Sequence, residues 1–104
     1  MMTLPKNRLP THPGEMLLEE FLKPLELSQA DVARRLKMPL NRLNELIKGK
    51  RGMTPDTALR LSELFKVSPE FWMNLQAGWD LWHAQRARKT SGEAGSIKPI
   101  AKAS

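Results

Sequence analysis

The sequence predicts an all-α fold, a single domain of five helices. Apolar residues recur at three- and four-residue spacing between Pro13 and Trp82, and the alternation typical of strands is not found. Serine, threonine or proline precedes several of these segments, while proline or glycine follows them. A length of 104 residues suits one helical core, and chains of this size often gain stability by dimerising.

The first helix is predicted to open at residues 12–15. Pro13 suits the first helical position, and Glu15 favours the positive end of the helix dipole. Pro24 should end the regular helix near Lys23, because proline lacks an N–H group and its ring disturbs the preceding turn.

The second helix is predicted to start at Ser28, whose hydroxyl can cap free N–H groups, with Asp31 as a variant capping-box partner. A break follows at Lys37, and Pro39 suits the entry of a third helix that ends at Gly49. The residues expected to face inward on these two helices are Val32, Ala33, Leu36, Leu43, Leu46 and Ile47.

The fourth and fifth helices begin by the same pattern of a capping residue followed by proline. Thr54 opens one and Ser68 the other, and the fifth helix is expected to run to about Arg86. Neither helix carries a glycine-rich phosphate loop, and the chain shows no internal repeat.

Residues 27–52 have the pattern of a helix-turn-helix. Two helices that cross closely need a small side chain at the crossing, and Ala33 stands there. Leu43 supplies the buried apolar residue in the middle of the second helix. The turn tends toward positive φ, so Lys37, where glycine is favoured, should add strain on the order of 1 kcal/mol.

Positive charge is concentrated in the same segment. Between Arg34 and Arg51 there are seven basic residues and one acidic residue, Glu45, so this window alone carries a net charge of +6. A basic patch of this kind is typical of a surface that binds a polyanion. The alternative is an ordinary solvated charged face, but the coincidence with a helix-turn-helix favours DNA.

The outward face of the third helix offers side chains that can read bases in the major groove. Asn41 and Asn44 can read adenine. Arg42 can read guanine, and Glu45 can accept a hydrogen bond from cytosine. Leu40 can touch a thymine methyl group. Each asparagine could also be an ordinary exposed polar residue, although the set as a whole favours base reading.

Four further residues are expected to contact DNA without reading bases in the centre of the groove. Gln29, at the start of the second helix, is placed for a phosphate or an outer base. Lys48, Lys50 and Arg51 should bind phosphates, which gives affinity without sequence information.

The fifth helix carries an apolar seam in which Trp72, Leu75, Trp79 and Trp82 are spaced by three, four and three residues. Part of this seam should be core, with Phe71 and one tryptophan packing on the fourth helix. The sequence leaves open whether all of it is core. Three tryptophans in eleven residues favour a seam shared with a twofold partner, and twofold pairing would set two recognition helices about 34 Å apart.

Several classes of protein are disfavoured by composition. The chain has no cysteine, and neither a metal nor another cofactor is expected. It has no apolar run of about 20 residues and no signal-peptide pattern, so no membrane association and a cytoplasmic location are expected. An enzyme such as a basic nuclease is the least favoured alternative, because Asp80 near His83 is the nearest approach to a catalytic pair.

The expected organisation has three parts. Residues 1–11 should form an extended arm, and residues 12–86 a helix-turn-helix DNA-binding domain that ends in a dimerisation helix. Residues 87–104 are small, polar and basic, and are predicted to be a disordered tail.

Three segments together resemble a known family. HPGEMLLEEFLKPLELSQADVARRL, NRLNELIKGKRGMTPDTALRLSELF and SPEFWMNLQAGWDL, in that order, are similar to the HigA-type antitoxins, which include virulence-associated protein I and addiction-module antidote proteins. These antitoxins belong to the Xre and lambda-repressor-like helix-turn-helix group. The resemblance covers residues 12–82.

The resemblance implies a five-helix fold, a homodimer, repression of the protein's own operon, and neutralisation of a HigB-type toxin, a RelE-like ribonuclease that cleaves mRNA. By position it places Trp72, Leu75 and Trp79 near the dimer interface. The alternatives are an orphan transcriptional regulator without a toxin, and a mainly protein-binding neutraliser with little affinity for DNA. By the same carry-over, the residues facing operator DNA are Gln29, Leu40, Asn41, Arg42, Asn44 and Lys48.

Overall fold

The computed structural model describes residues 9–101, and all regular secondary structure in that range is helical, which confirms the predicted fold class. No helix in residues 9–101 has the length and apolar character needed to cross a bilayer. Most of the predicted arm and the last residues of the predicted tail lie outside the described range. The helices are α1 (Pro13–Leu17), which continues as a π-helical segment (Leu18–Leu22), α2 (Gln29–Leu36), α3 (Leu40–Ile47), α4 (Pro55–Phe65) and α5 (Pro69–Ser91).

The predicted N-terminal caps form. The Ser28 hydroxyl accepts a hydrogen bond from the Asp31 N–H at 3.0 Å, and the hydroxyls of Thr54 and Ser68 accept the corresponding bonds of α4 and α5 at 3.3 Å. The role of Asp31 as a capping-box partner is wrong. Its carboxylate accepts from Arg35 at 2.9 Å, because a guanidinium one turn later on the same face offers a charged donor.

The first helix begins at Pro13 and ends before Lys23, as predicted, but its cap and its second half were not predicted. Its N-cap is His12, whose Nδ1 accepts a hydrogen bond from the Gly14 N–H at 2.9 Å. Its second half is a π-helix, which the side-chain periodicity does not predict. Pro24 has no N–H, and its ring would collide with the carbonyl of Glu20, so a widened turn at this point accommodates the proline.

The core lies between the N-terminal half of α5 and the other helices, and Trp72 is its largest fully buried side chain. Its ring centroid is 5.1 Å from that of Phe21 and 5.0 Å from that of Phe71. The assignment of Trp72 to a dimer interface is therefore wrong, because a side chain with no exposed surface has nothing to offer a partner. Its Nε1 has no hydrogen-bond partner within the described residues.

Helix α5 ends at Ser91, not near Arg86. Residues 86–91 contain no glycine or proline and several good helix formers, so the helix continues until Gly92 adopts φ = +80°. Residues 87–91 are consequently helical and not part of an irregular tail. Residues 92–101 contain turns but no helix or strand.

Candidate nucleic-acid interface

The turn between α2 and α3 has the geometry that the sequence predicts. Lys37 is left-handed, with φ = +57° and ψ = +46°, and the Met38 N–H donates to the carbonyl of Ala33 at 3.0 Å. Ala33 is buried where the two helices approach each other. A lysine in place of glycine is tolerated here, and its side chain is exposed.

Arg60 of α4 fixes this turn from behind. One of its terminal nitrogens donates to the carbonyls of Leu36 and Lys37, both at 2.8 Å, while its Nε lies 3.0 Å from a carboxylate oxygen of Asp56. These bonds satisfy carbonyls at the end of α2 that have no partner inside the helix. Sequence reasoning missed Arg60, because the two carbonyls that it binds are more than twenty positions away.

Two tight contacts hold the far end of α3. A Cβ atom added to Gly14 would lie 1.9 Å from the carbonyl oxygen of Leu46, so α1 can pack directly on α3 only with glycine at this position. The Met53 N–H, in the loop after α3, donates to Oε1 of Gln76 at 2.6 Å, and Gln76 in turn donates to Asp80 at 2.8 Å. Gln76 is buried, and the sequence offered no signal for its role.

The outward face of α3 combines polar and apolar groups around a shallow, open depression. Leu40 is half-exposed at its edge, and Asn41 is exposed. The Asn44 Nδ2 donates to Oε1 of Gln29 at 3.1 Å, so these two predicted DNA-contacting residues form a pair. The pair leaves the Gln29 amide nitrogen and the Asn44 carbonyl oxygen available to a ligand.

Ion pairs occupy part of the predicted basic patch. Arg34 and Arg35 both bind the carboxylate of Asp31, and the hydrogen bond from Arg35 is the main cause that lowers the pKa of Asp31 below its ordinary value. A terminal nitrogen of Arg51 lies 3.2 Å from a carboxylate oxygen of Glu45, so these two residues, both predicted to contact DNA, form an ion pair with each other. Their bond must open, or be shared, if Glu45 is to reach a base.

Four cations of the patch remain uncompensated. Lys37, Arg42, Lys48 and Lys50 make no ion pair within residues 9–101. They belong to the turn, to α3 and to the loop that follows it. The surface that holds the base-reading side chains therefore also carries unbalanced positive charge from Arg42 and Lys48.

The apolar seam of α5 has two parts, because Trp72 is fully buried in the core and the other three residues are not. Leu75, Trp79 and Trp82 are half-buried in the single chain. The ring of Trp79 packs edge-to-face on that of His12 at 5.0 Å, and Arg86 lies over the ring of Trp82 at 4.8 Å. Asp80 accepts a hydrogen bond from Gln76, and the ring of His83 packs against the rings of Trp79 and Trp82.

Comparison with known proteins finds the same kind of domain. A family model described as helix-turn-helix matches residues 18–72. The chain is 39% identical to the HTH-type transcriptional regulator YbaQ of Escherichia coli K12, over 91% of this chain and 84% of that protein. It is 41% identical to virulence-associated protein I of Dichelobacter nodosus, over 86% of this chain and 85% of that protein.

A solved structure is similar over almost the whole described chain. The Pseudomonas aeruginosa antitoxin HigA, determined with the higBA promoter, is 39% identical and superposes with a TM-score of 0.80. The match covers 88% of this chain and 99% of that one.

Proposed function

Because the chain belongs to the helix-turn-helix family, in the group of the HigA-type antitoxins, we propose that it is a sequence-specific DNA-binding antitoxin that represses its own operon. One observation carries the proposal. The exposed face of α3 brings base-reading side chains and uncompensated cations together on one rigid support. The similarity to an antitoxin that was determined with its promoter supports the same function.

On DNA, the N-terminal part of α3 enters the major groove. Arg42 reads guanine and Asn41 reads adenine. The Gln29–Asn44 pair acts as one unit, in which Asn44 faces a base edge while Gln29 turns its free amide nitrogen to a phosphate. Lys48 and the loop that follows it neutralise phosphates beside the groove, which makes binding depend on salt.

The proposed function also includes a dimeric state, a protein partner and a cellular location. The protein binds as a homodimer through the half-buried residues of α5, so that two recognition helices reach successive turns of the operator. It neutralises a RelE-like toxin, and it acts in the cytoplasm, where its operator is accessible. It has no catalytic role, because His83 and Asp80 face other partners in the chain.

The test is operator binding by Arg42→Ala. We expect the variant to lose about 1–3 kcal/mol of binding free energy for the operator. The difference from wild type should disappear on an operator in which the base pair read by Arg42 is changed. Electrophoretic mobility shifts against a set of single-base operator variants measure it. Arg34→Ala is the matched control, since this arginine has the same charge on the neighbouring helix but is engaged with Asp31. Equal losses on every sequence would show that Arg42 binds a phosphate.

The similarity to YbaQ favours a second candidate, a transcriptional regulator without a toxin. Expression of the reading frame adjacent to this gene separates the two. Growth arrest that this protein relieves identifies an antitoxin. Unaffected growth, together with intact operator binding, identifies an orphan regulator.

A further inference from the structure

Helix α5 continues well past the part of it that packs on the other helices. We call residues 83–91 the projecting end of α5, and every one of them is exposed. A helical segment that buries nothing gains no stability from tertiary packing, and in isolation a segment this short would be marginal in water. Its order therefore has to come from local interactions.

Local interactions of that kind are present. Gly92 ends the helix with φ = +80°, and the Glu93 N–H donates to the carbonyl of Arg88 at 2.9 Å. The Arg88 side chain returns a hydrogen bond of 2.9 Å to the carbonyl of Glu93. Arg86 lies over the Trp82 ring at 4.8 Å, which fixes a cation one turn beyond the core.

The projecting end carries positive charge only. It contains Arg86, Arg88 and Lys89 and no acidic residue. Arg88 is engaged with the backbone that follows the helix, while Arg86 and Lys89 are three residues apart and share a face. These two cations make no ion pair within residues 9–101.

The position of this segment relates it to the recognition helix. Trp79 packs on His12, and Cδ2 of His12 lies 4.0 Å from where a Cβ atom on Gly49 would stand, just after α3. Helix α5 thus passes close to the loop that holds Lys48 and Lys50. Arg86 follows Trp79 by seven residues, about 10 Å along the helix, a distance comparable to the width of a DNA groove.

We propose that the projecting end of α5 is a second phosphate-binding surface, which contacts the DNA backbone beside the groove that α3 reads. Arg86 and Lys89 each neutralise one phosphate and recognise no base. The inference rests on the proposed DNA binding but adds a surface outside the helix-turn-helix. It commits to duplex DNA as the occupant, because an unbalanced pair of cations on a rigid helix fits a polyanion.

The experiment measures the operator affinity of Arg86→Gln/Lys89→Gln at a series of salt concentrations. Each lost phosphate contact removes about 0.9 from the slope of log affinity against log salt, so the slope should become less steep by about 1.8 for each bound protomer, or about 3.6 for the homodimer. The loss should be the same on operator and unrelated DNA. The variant Arg86→Lys/Lys89→Arg keeps both charges and should retain the wild-type slope.

The control is Lys23→Gln/Lys66→Gln, which removes the same charge near the start of α5, although Lys23, unlike Arg86 and Lys89, is paired with Glu19 at 2.9 Å. Lys66 lies just before α5, and Phe21, close to Lys23, packs on Phe65 at 5.0 Å. We expect this control to keep the wild-type slope. An equal change of slope in both variants would show that the slope depends only on the net charge of the protein, and this result would overturn the proposal.

Two other results would also overturn it. An unchanged slope in Arg86→Gln/Lys89→Gln, with wild-type operator binding intact, refutes this surface and leaves the proposed function standing. A change in sedimentation of the free protein, without a change of slope, would assign the projecting end to contact between two copies of the chain. Failure of the wild type to bind any operator would refute the proposed function itself.

Discussion

His12 is a buried residue whose hydrogen bond exists in only one protonation state. Its Nδ1 accepts from the Gly14 N–H, which requires a neutral nitrogen with a free lone pair. Burial lowers the pKa of His12 below the ordinary 6.5, and the charges of Asp80 and Glu15 only partly oppose that effect. The side chain also supports the start of α1 and the ring of Trp79.

We therefore expect the protein to lose stability in mild acid. The unfolded chain takes up a proton at His12 as the pH falls through 6.5, while the folded chain resists until the lower pKa is reached. The contribution of His12 is complete above 6.5 and is lost as the pH falls through the folded pKa. Urea unfolding at pH 7.5 and pH 5.5 measures the difference.

His12→Asn is the control, because asparagine also caps a helix but does not titrate in this range. It should be less stable than wild type at pH 7.5 and should show a flatter pH dependence. The exposed His83 remains in both proteins. An identical pH dependence in the two proteins would mean that His12 does not carry the effect.

Single residues also show what the sequence can and cannot predict. Ser28, Thr54 and Ser68 were predictable as caps, because a cap acts on residues two or three positions away. Arg60 and Gln76 were not predictable, since each binds backbone atoms brought near only by the tertiary fold. The Gln29–Asn44 pair falls between these cases, for both residues were predicted but not their contact.

At the scale of elements, the helix-turn-helix depends on α4 as much as on its own turn. Arg60→Gln should remove the charged donor to the carbonyls at the end of α2 and lower the free energy of unfolding by about 1–2 kcal/mol. Operator affinity should fall as well, because the turn that orients α3 loses its support.

Chemical denaturation and mobility shifts measure the two effects of Arg60→Gln. Asp56→Asn is the comparison, since it removes the exposed ion pair of Arg60 but keeps both carbonyl contacts, and it should cost less than about 1 kcal/mol. Equal losses of stability in the two variants would show that the stabilisation comes from the ion pair with Asp56 and not from the hydrogen bonds of Arg60 to the two carbonyls.

The elements themselves were predictable because apolar spacing and caps are local. The two exceptions have physical reasons. The π-helical turn at Leu18–Leu22 leaves the apolar pattern almost unchanged, so periodicity cannot reveal it. The projecting end of α5 differs from the prediction because polar, basic composition is typical of disordered segments, whereas arginine, alanine and lysine are also good helix formers.

At the scale of the whole molecule, the dimer remains a prediction, and the structure narrows the set of residues that could form its interface. With Trp72 in the core, a partner can use Leu75, Trp79 and Trp82. Trp79→Ala should weaken dimerisation by about 2 kcal/mol, the size of an interface hot spot. Leu81→Ala, on another face of the same helix and 61% exposed in the wild type, should have little effect.

Sedimentation equilibrium of the three proteins measures the dissociation constant. Denaturation of Trp79→Ala must be followed alongside, because its ring also packs on His12. A wild type that remains monomeric across the concentration range would rule out the dimer, whatever the variants do.

The graded burial of the tryptophans along α5 also gives the protein three built-in optical probes. Trp72 has no exposed surface, Trp79 lies against two imidazole rings, and Trp82 stands at the start of the projecting end. An indole in an apolar core emits at shorter wavelength than one in contact with water. Because the chain has no tyrosine, its fluorescence comes almost entirely from these three indoles, and variants that keep one tryptophan at a time would report on the core, on the His12 junction or on the end of α5 without any added label.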